Sequence, residues 1–560
     1  MRIRGRSQRW VLLLAVLALI AAACSGGGGE AAEGEGGEGG DTSEAAEGGD
    51  EEGASGNEIS FYVSEPQFIA PPSNVTESEG HAVITALFRP LIDVDLDTSE
   101  PQWGDDAPDA HAANLESDDQ QTWTVTLKDG WTFHDGTPVT AQSYVDTWNE
   151  GAANAEYTGN YFFSFIEGYD ALQGTESEPA EATEMSGLEV IDDLTFEVTL
   201  TEPFSQFPLV LYYSAFYPLA DACLEDMAAC QEAPIGNGPF QMDGQWEHNQ
   251  RIRVTKFADY GGETEPSIDA IEFRVYSDVN TGYNDLLAGN LDVLDTVPPE
   301  QIETAQTDLG ERFIEGESSV YTYLGFPTFD ERFDDVNVRR AFSMAIDRQA
   351  IVDNIRVGDA PADAFVSPVV AGYREGACGD ACTYDPEEAA RLLEEAGGWE
   401  GPLTLWFNSG AGHEEWMEAV SNQLRENLGI EDISFESLDF AEYLPILEAL
   451  EHDGPFRLGW VMDYPSPQNY LENLLYTESS SNYTGWSNEE FDSLIDQGNA
   501  AGTVEEGLEF YAQAEDIAAE EVPQAPLFFD RLSAAHSERV TNVEFNIQED
   551  LDYLTVEVVE

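Results

Sequence analysis

The chain has 560 residues, with 22 Lys plus Arg against 111 Asp plus Glu and a formal charge of −89 at pH 7. A surface of that sign repels phosphates, which excludes a protein that grips nucleic acid or anionic lipid through a basic face. Hydrophobic residues at 42% and aromatics at 11% are enough for large cores, so the body is not disordered. Lysine occurs only at Lys128 and Lys256. Many carboxylates with almost no Lys is the composition expected of a surface adapted to high salt, an ordinary acidic extracellular protein being the alternative. In high salt a Debye length of ~3 Å at ~1 M removes most self-repulsion.

Arg2, Arg4, Arg6 and Arg9 precede an apolar run at 10–23, WVLLLAVLALIAAA. Fourteen residues fall short of the ~20 that a spanning helix needs. A basic start, a short apolar core and small residues predict a secretory signal over 1–23. Ala21-Ala22-Ala23-Cys24 resembles a bacterial lipobox, with Ala21 in place of the usual Leu. Cys24 is therefore expected to carry diacylglycerol as the mature N-terminus, secretion without lipid being the alternative. Residues 24–56 are expected to be a disordered acidic tether. Positions 25–56 hold 13 Gly and 10 acids, with no aromatic and no basic residue. A flexible chain of that length spans ~30 Å.

In the body, TWTVTL at 122–127 alternates as a strand before the turn Lys128-Asp129-Gly130, and TFEVTL at 195–200 alternates again. IEFRVY at 271–276 is a third such run. Val338, Phe342, Ala345 and Ile346 share one helical face. Asp385-Pro386-Glu387-Glu388 reads as a helix cap, Pro at the first helical position, and acids on the positive end of the dipole. That helix is expected to stop at Gly397-Gly398. Trp416, Val420, Leu424 and Leu428 form another apolar stripe, and Ser487 with Glu490 is read as a capping box. Irregular alternation of strands and helices predicts α/β or α+β lobes.

Cys223, Cys230, Cys378 and Cys382 allow three disulfide pairings. The local ones, Cys223–Cys230 and Cys378–Cys382, are the simplest in an oxidising compartment. Zinc is the alternative, although neither pair has a His near it in sequence. No nucleophile elbow and no phosphate loop is present. His413-Glu414-Glu415-Trp416-Met417 begins like a zinc-protease helix but has Met417 where the second His belongs. Asp93, Asp95 and Asp97 alternate like a calcium loop, but Thr98 replaces its Gly and Gly104 its final Glu. The weight falls on binding rather than catalysis, with no metal or cofactor expected.

Eight segments in order resemble the solute-binding proteins of peptide-type ABC importers, the dipeptide/oligopeptide/nickel-binding family 5. They are LFRPL at 87–91, DQQTWTVTLKDGWTFHDGTPVTAQSYVDTW at 119–148 and PIGNGPF at 234–240. LAGNLD at 287–292 and RRAFSMAIDR at 339–348 follow. The last are GWVMDYPSP at 459–467, YTGWSNEEFD at 483–492 and PLFF at 526–529. FHDGTPVTA at 133–141 is distinctive. Asn237 stands where the family commonly has Thr.

The resemblance implies an α/β, two-lobed periplasmic-binding-protein-like fold (type II, cluster C) with an extra domain in lobe I. Lobe I would comprise 57–95, 187–310 and 522–560, the inserted domain 96–186, and lobe II 311–521. It also implies a monomer on the extracytoplasmic face that captures di- or oligopeptides in an interlobe cleft. The ligand then passes to a membrane permease, with ATP hydrolysis on other chains. In peptide-binding members an Asp in the segment like 460–464 pairs with the ligand α-ammonium, and Asp463 matches it. Trp460 and Tyr464 flank it, Trp460 as an apolar wall. Asn237 and Gly238 could offer polar contacts. Arg374, Arg457 and Arg89 are candidates for the ligand carboxylate. A nickel complex, haem or an oligosaccharide stays open as ligand, and a secreted hydrolase or surface structural protein as the different class.

Overall fold

The computed structural model describes residues 56–559, apart from 96–97, 175–178, 410–411, 439, 478 and 547. The expected signal over 1–23, Cys24 and nearly all of the expected tether lie outside the described residues. The described residues belong to one compact unit, Gly53–Glu560. None of their helices is long and apolar enough to cross a membrane.

An 11-stranded mixed sheet organises the body. In one half, Glu58–Val63 pairs in parallel with Ala270–Val275, followed by antiparallel Arg251–Lys256 and Phe240–Met242. Residues 59–63 are all buried, as a central strand covered on both faces requires. In the other half, Leu403–Asn408 runs parallel to Ile433–Leu438 and to Phe456–Trp460. Two 13-residue strands, Phe313–Gly325 and Gln524–His536, pair antiparallel and join the halves. Their register shifts between Glu317 and Tyr321, which leaves 318–320 as a bulge. Ser367 Oγ donates to the Ser318 carbonyl at 2.8 Å and the Tyr470 hydroxyl to the Ser319 carbonyl at 2.7 Å, so the freed acceptors are satisfied.

Three of the apolar cores are large. One centres on Phe61, Phe273 and Tyr553, a second on Tyr144, Trp148 and Phe196, and a third on Phe342, Trp416 and Phe528. The second fills a four-stranded antiparallel sheet in the order Ala112–Glu116, Thr122–Leu127, Thr195–Thr199, Leu188–Asp192. This sheet spans the expected boundary at 186, because Thr122 pairs with Thr199 and Val125 with Phe196.

The local predictions can be compared element by element. Asp385 caps Pro386–Glu395 by accepting the Glu388 N–H, and Gly397 and Gly398 follow at φ +107° and +80°. Thr122–Leu127 buries every second residue. The helix Glu489–Asn499 starts one residue later than the Ser487 box requires. Asn488 is its cap, accepting the N–H groups of Glu490 and Phe491. Disulfides join Cys223 to Cys230 and Cys378 to Cys382.

Three of the recognisable segments lock together in the first half. Asp135 Oδ1 accepts both the Thr137 N–H and its hydroxyl, closing the turn at Gly136. The His134 N–H donates to the Gly236 carbonyl, its Nδ1 accepts the Gly236 N–H at 3.1 Å, and its Nε2 lies 3.2 Å from the Gly238 carbonyl. The Gly238 N–H donates to Leu87 and Asn237 Oδ1 accepts the Arg89 N–H. A Cβ on Gly238 would sit 2.5 Å from the Leu87 carbonyl carbon, so only glycine fits.

Candidate functional site

A cavity of about 350 Å³ opens where the two sheet halves and the small domain meet. Residues 76–78, 81–82, 295–296 and 548–550 line it from one side and 460–463 from the other, and Tyr161 and Tyr213 complete the wall. The Gln548 side-chain amide crosses between the sides, donating to the Asp463 carbonyl at 3.1 Å.

Asp463 is placed by the elements around it. The strand Phe456–Trp460 ends there, and Ser466 and Pro467 start the helix Pro467–Leu475. The residues between must turn, and Asn469 in the first helical turn reaches back to them. Its Oδ1 accepts the Asp463 N–H and Trp460 Nε1–H, both at 3.0 Å, and its Nδ2 donates to Asp463 Oδ2 at 2.9 Å. Asp463 is 8% exposed and makes no ion pair among the described residues. Burial pushes its pKa up to about 7, against the opposing bond from Asn469.

Further titratable groups share the cavity. Burial pushes Asp295 up to about 7 and raises Glu549. Glu77 is also raised by burial, although it caps Ser78–Leu87 by accepting the Gly80 N–H at 2.7 Å. His81 meets Asp550 at 2.9 Å. Burial opposes its charge, but the Asp550 carboxylate prevails and its pKa is raised.

The other sequence-derived candidates divide. Trp460 lines the Asp463 cavity and a neighbouring, mainly apolar pocket of about 340 Å³. Arg457 lines that second pocket. Its Nη1 donates to Asn408 Oδ1 at 3.1 Å, its Nε is buried without a partner, and burial lowers its pKa to about 10. Tyr464 is buried, donates to Gln468 Oε1 at 2.7 Å, and packs into the small-domain core. The remaining four lie elsewhere. Asn237 and Gly238 belong to the three-segment lock. Arg89 faces a separate cavity and donates from Nε to the Tyr260 hydroxyl. Arg374 is held by Glu515 and Asp516 at 2.9 and 2.8 Å, because its long side chain reaches the helix Val504–Glu521.

Sequence reasoning missed Asn469, Glu77, His81, Asp295, Glu549 and Asp550. His81 and Asp550 are 469 positions apart, and no local pattern connects them.

Two sheet halves joined by shared strands around a cavity define the class: a two-lobed solute-binding protein. Residues 107–482 match the family described as bacterial extracellular solute-binding proteins, family 5 (middle), and the chain belongs to that family. The oligopeptide-binding protein OppA of Bacillus subtilis (strain 168) is 27% identical over 500 residues, covering 86% of this chain and 89% of that protein. The periplasmic murein peptide-binding protein MppA of Escherichia coli (strain K12) is 26% identical over 486 residues, covering 85% and 88%. Among solved structures, the E. coli murein tripeptide binding protein MppA superposes with a TM-score of 0.74 at 23% identity, covering 90% of this chain and 99% of that one. Haemophilus influenzae OppA in complex with RPPGFSPFR gives 0.71 at 23%, covering 90% and 100%. These likenesses establish the fold.

Proposed function

We propose that the chain is the extracytoplasmic substrate-binding lipoprotein of an ABC importer, which captures di- or oligopeptides in this cavity and delivers them to the permease. The observation that carries the reading is Asp463: a buried carboxylate, without an ion pair among the described residues, on the wall of the cavity between the halves. Such a group is costly unless a cation meets it, and a peptide α-ammonium supplies one with charge-assisted hydrogen bonds. Trp460 would wall the first side chain. Arg457 in the adjoining pocket is the best placed of the three Arg for a ligand carboxylate. The peptide-binding relatives support the ligand class.

Lobe I is assigned to 57–95, 187–310 and 522–560, and lobe II to 311–521; the core around Phe61, Phe273 and Tyr553 supports lobe I, while 522–529 pack with Phe342 and Trp416 in the core of lobe II. Ligand contacts to both lobes favour the closed state, which the permease would read. Lipidation of Cys24 and the tether over 24–56 would hold a monomeric body outside the membrane. The binding role needs no catalytic group and no cofactor. Mass spectrometry of co-purifying small molecules, followed by thermal shift against di- to pentapeptides, tests the reading. Peptides should be found and should raise the melting temperature; no response to any peptide overturns it. Asp463→Asn should weaken free-amino peptides more than N-acetylated ones, and equal weakening would remove its assigned role.

A further inference from the structure

The cavity around Asp463 holds more negative charge than one ammonium can match. Glu77, Asp295, Glu549 and Asp550 line it together with Asp463, and His81 is the one basic residue among the lining groups. His81 is taken by Asp550, and Glu77 caps a helix. Asp295, Asp463 and Glu549 remain without an ion pair among the described residues. Asp295 Oδ1 is fully buried and accepts no hydrogen bond. Asp463 is more than nine-tenths buried.

A second, independent feature points the same way. The wall between these acids is aromatic: Tyr161, Tyr213 and Trp460 line the cavity, and Tyr161 is 44% exposed. Ring faces attract ammonium and guanidinium groups and give nothing to anions. The acids also stand on opposite sides. Asp295 follows the strand Val293–Leu294 in one half, and Glu549 sits in the turn that Asn546 closes by accepting the N–H groups of Gln548 and Asp550. Asp463 comes from the other half. A peptide with one ammonium satisfies Asp463 and leaves the half-buried carboxylates of Asp295 and Glu549 opposite it without a cation.

We propose that this cavity selects peptides with a second positive charge, a Lys or Arg side chain next to the N-terminus, received by Asp295 and Glu549 while Asp463 takes the α-ammonium. The proposal rests on the peptide reading above. A dication of this kind binds both halves through charge, whereas a peptide with neutral side chains does so on one side only. Because Asp463 is buried and Asp295 and Glu549 are half-buried, the preference should persist better in high salt than that of exposed charges, which are screened.

The test is isothermal titration of the whole protein with matched tripeptides. Ala-Lys-Ala is compared with Ala-norleucine-Ala, and Ala-Arg-Ala with Ala-citrulline-Ala, all with free termini. The expected result is that each cationic peptide binds at least ~10-fold tighter than its neutral partner. Asp295→Asn and Glu549→Gln should each cut that ratio to below ~3-fold. If the wild-type ratios are near one while the neutral peptides bind, this proposal falls and the peptide reading stands. No binding of any of the four overturns both. A high ratio that survives in both variants overturns the roles given to Asp295 and Glu549.

Discussion

Asn469 grips Asp463 at two points, its Nδ2 on Asp463 Oδ2 at 2.9 Å and its Oδ1 under the Asp463 N–H at 3.0 Å. The same Oδ1 takes the Trp460 indole N–H. One amide therefore orients both the carboxylate and the ring that face the cavity. A hydrogen bond to a charged group is worth ~1.5–3 kcal/mol. Asn469→Ala should weaken free-amino peptides by roughly 10- to 100-fold. Titration calorimetry checks this, and an unchanged affinity would show that Asp463 is held by other groups.

Peptide affinity should depend on pH with a maximum. Asp463 has a pKa near 7 in the unliganded protein, so at lower pH the ammonium must first displace a proton. A free peptide amine loses its own proton near ~8. Affinity should thus rise from pH 5 to about 7, flatten, and fall above ~8. An N-acetylated peptide should lack the maximum.

Asp295 has the opposite sign of effect on folding to that of a salt-bridged acid. Its folded pKa of about 7 lies above the unfolded value near ~3.9. The folded state therefore favours the proton. The contribution is fully present below ~4 and is lost as pH rises through about 7. Asn does not titrate, so the melting temperature of Asp295→Asn minus that of the wild type should grow between pH 5 and 7.5. A difference that stays flat with pH would show that Asp295 is ionised normally.

Gly238→Ala should destabilise the fold by at least ~2 kcal/mol, because the new Cβ would press on Leu87 and Phe88 backbone atoms at 2.5 and 2.6 Å. Those atoms belong to another segment of the lock and cannot rotate aside. Urea unfolding measures the change. A shift under ~0.5 kcal/mol would mean that the segments separate easily.

How far the sequence carried depends on distance along the chain. Alternation in Thr122–Leu127 and the Asp385 cap were readable because each rests on neighbours within a few residues. Ser487 with Glu490 three residues on fits the capping pattern. Asn makes the same bonds from the next position without that partner. Asp463 was legible through resemblance, not composition. His81, Asp295, Glu549 and Asp550 were not, since they come together from segments up to 469 positions apart. Asn237 and Gly238 carried a recognisable motif whose work is to lock chain segments, a role visible only once Leu87 and His134 are seen against them. Arg374 followed the general habit of Arg in an acidic chain and found carboxylates.

The acidic body should gain stability from salt. With 101 carboxylates against 18 Lys plus Arg over residues 57–560, self-repulsion opposes compaction at low ionic strength and is screened at high. The melting temperature should rise from low salt to ~2 M NaCl. The absence of a rise would remove the case for adaptation to brine.

The bulge at 318–320 has a mechanical consequence. From Phe313 to Glu317 the ladder with Gln524–His536 keeps its register, and its backbone bonds resist bending; it slips once more between Thr322 and Tyr323. At the bulge those bonds are replaced by single side-chain contacts from Ser367 and Tyr470, and Val320 there forms part of the cavity wall. Bending stress applied to either half would concentrate at this point. A molecule wedged against Val320 would then act on the flexure itself, so that occupancy of the cavity and the angle between the halves would be read from the same three residues.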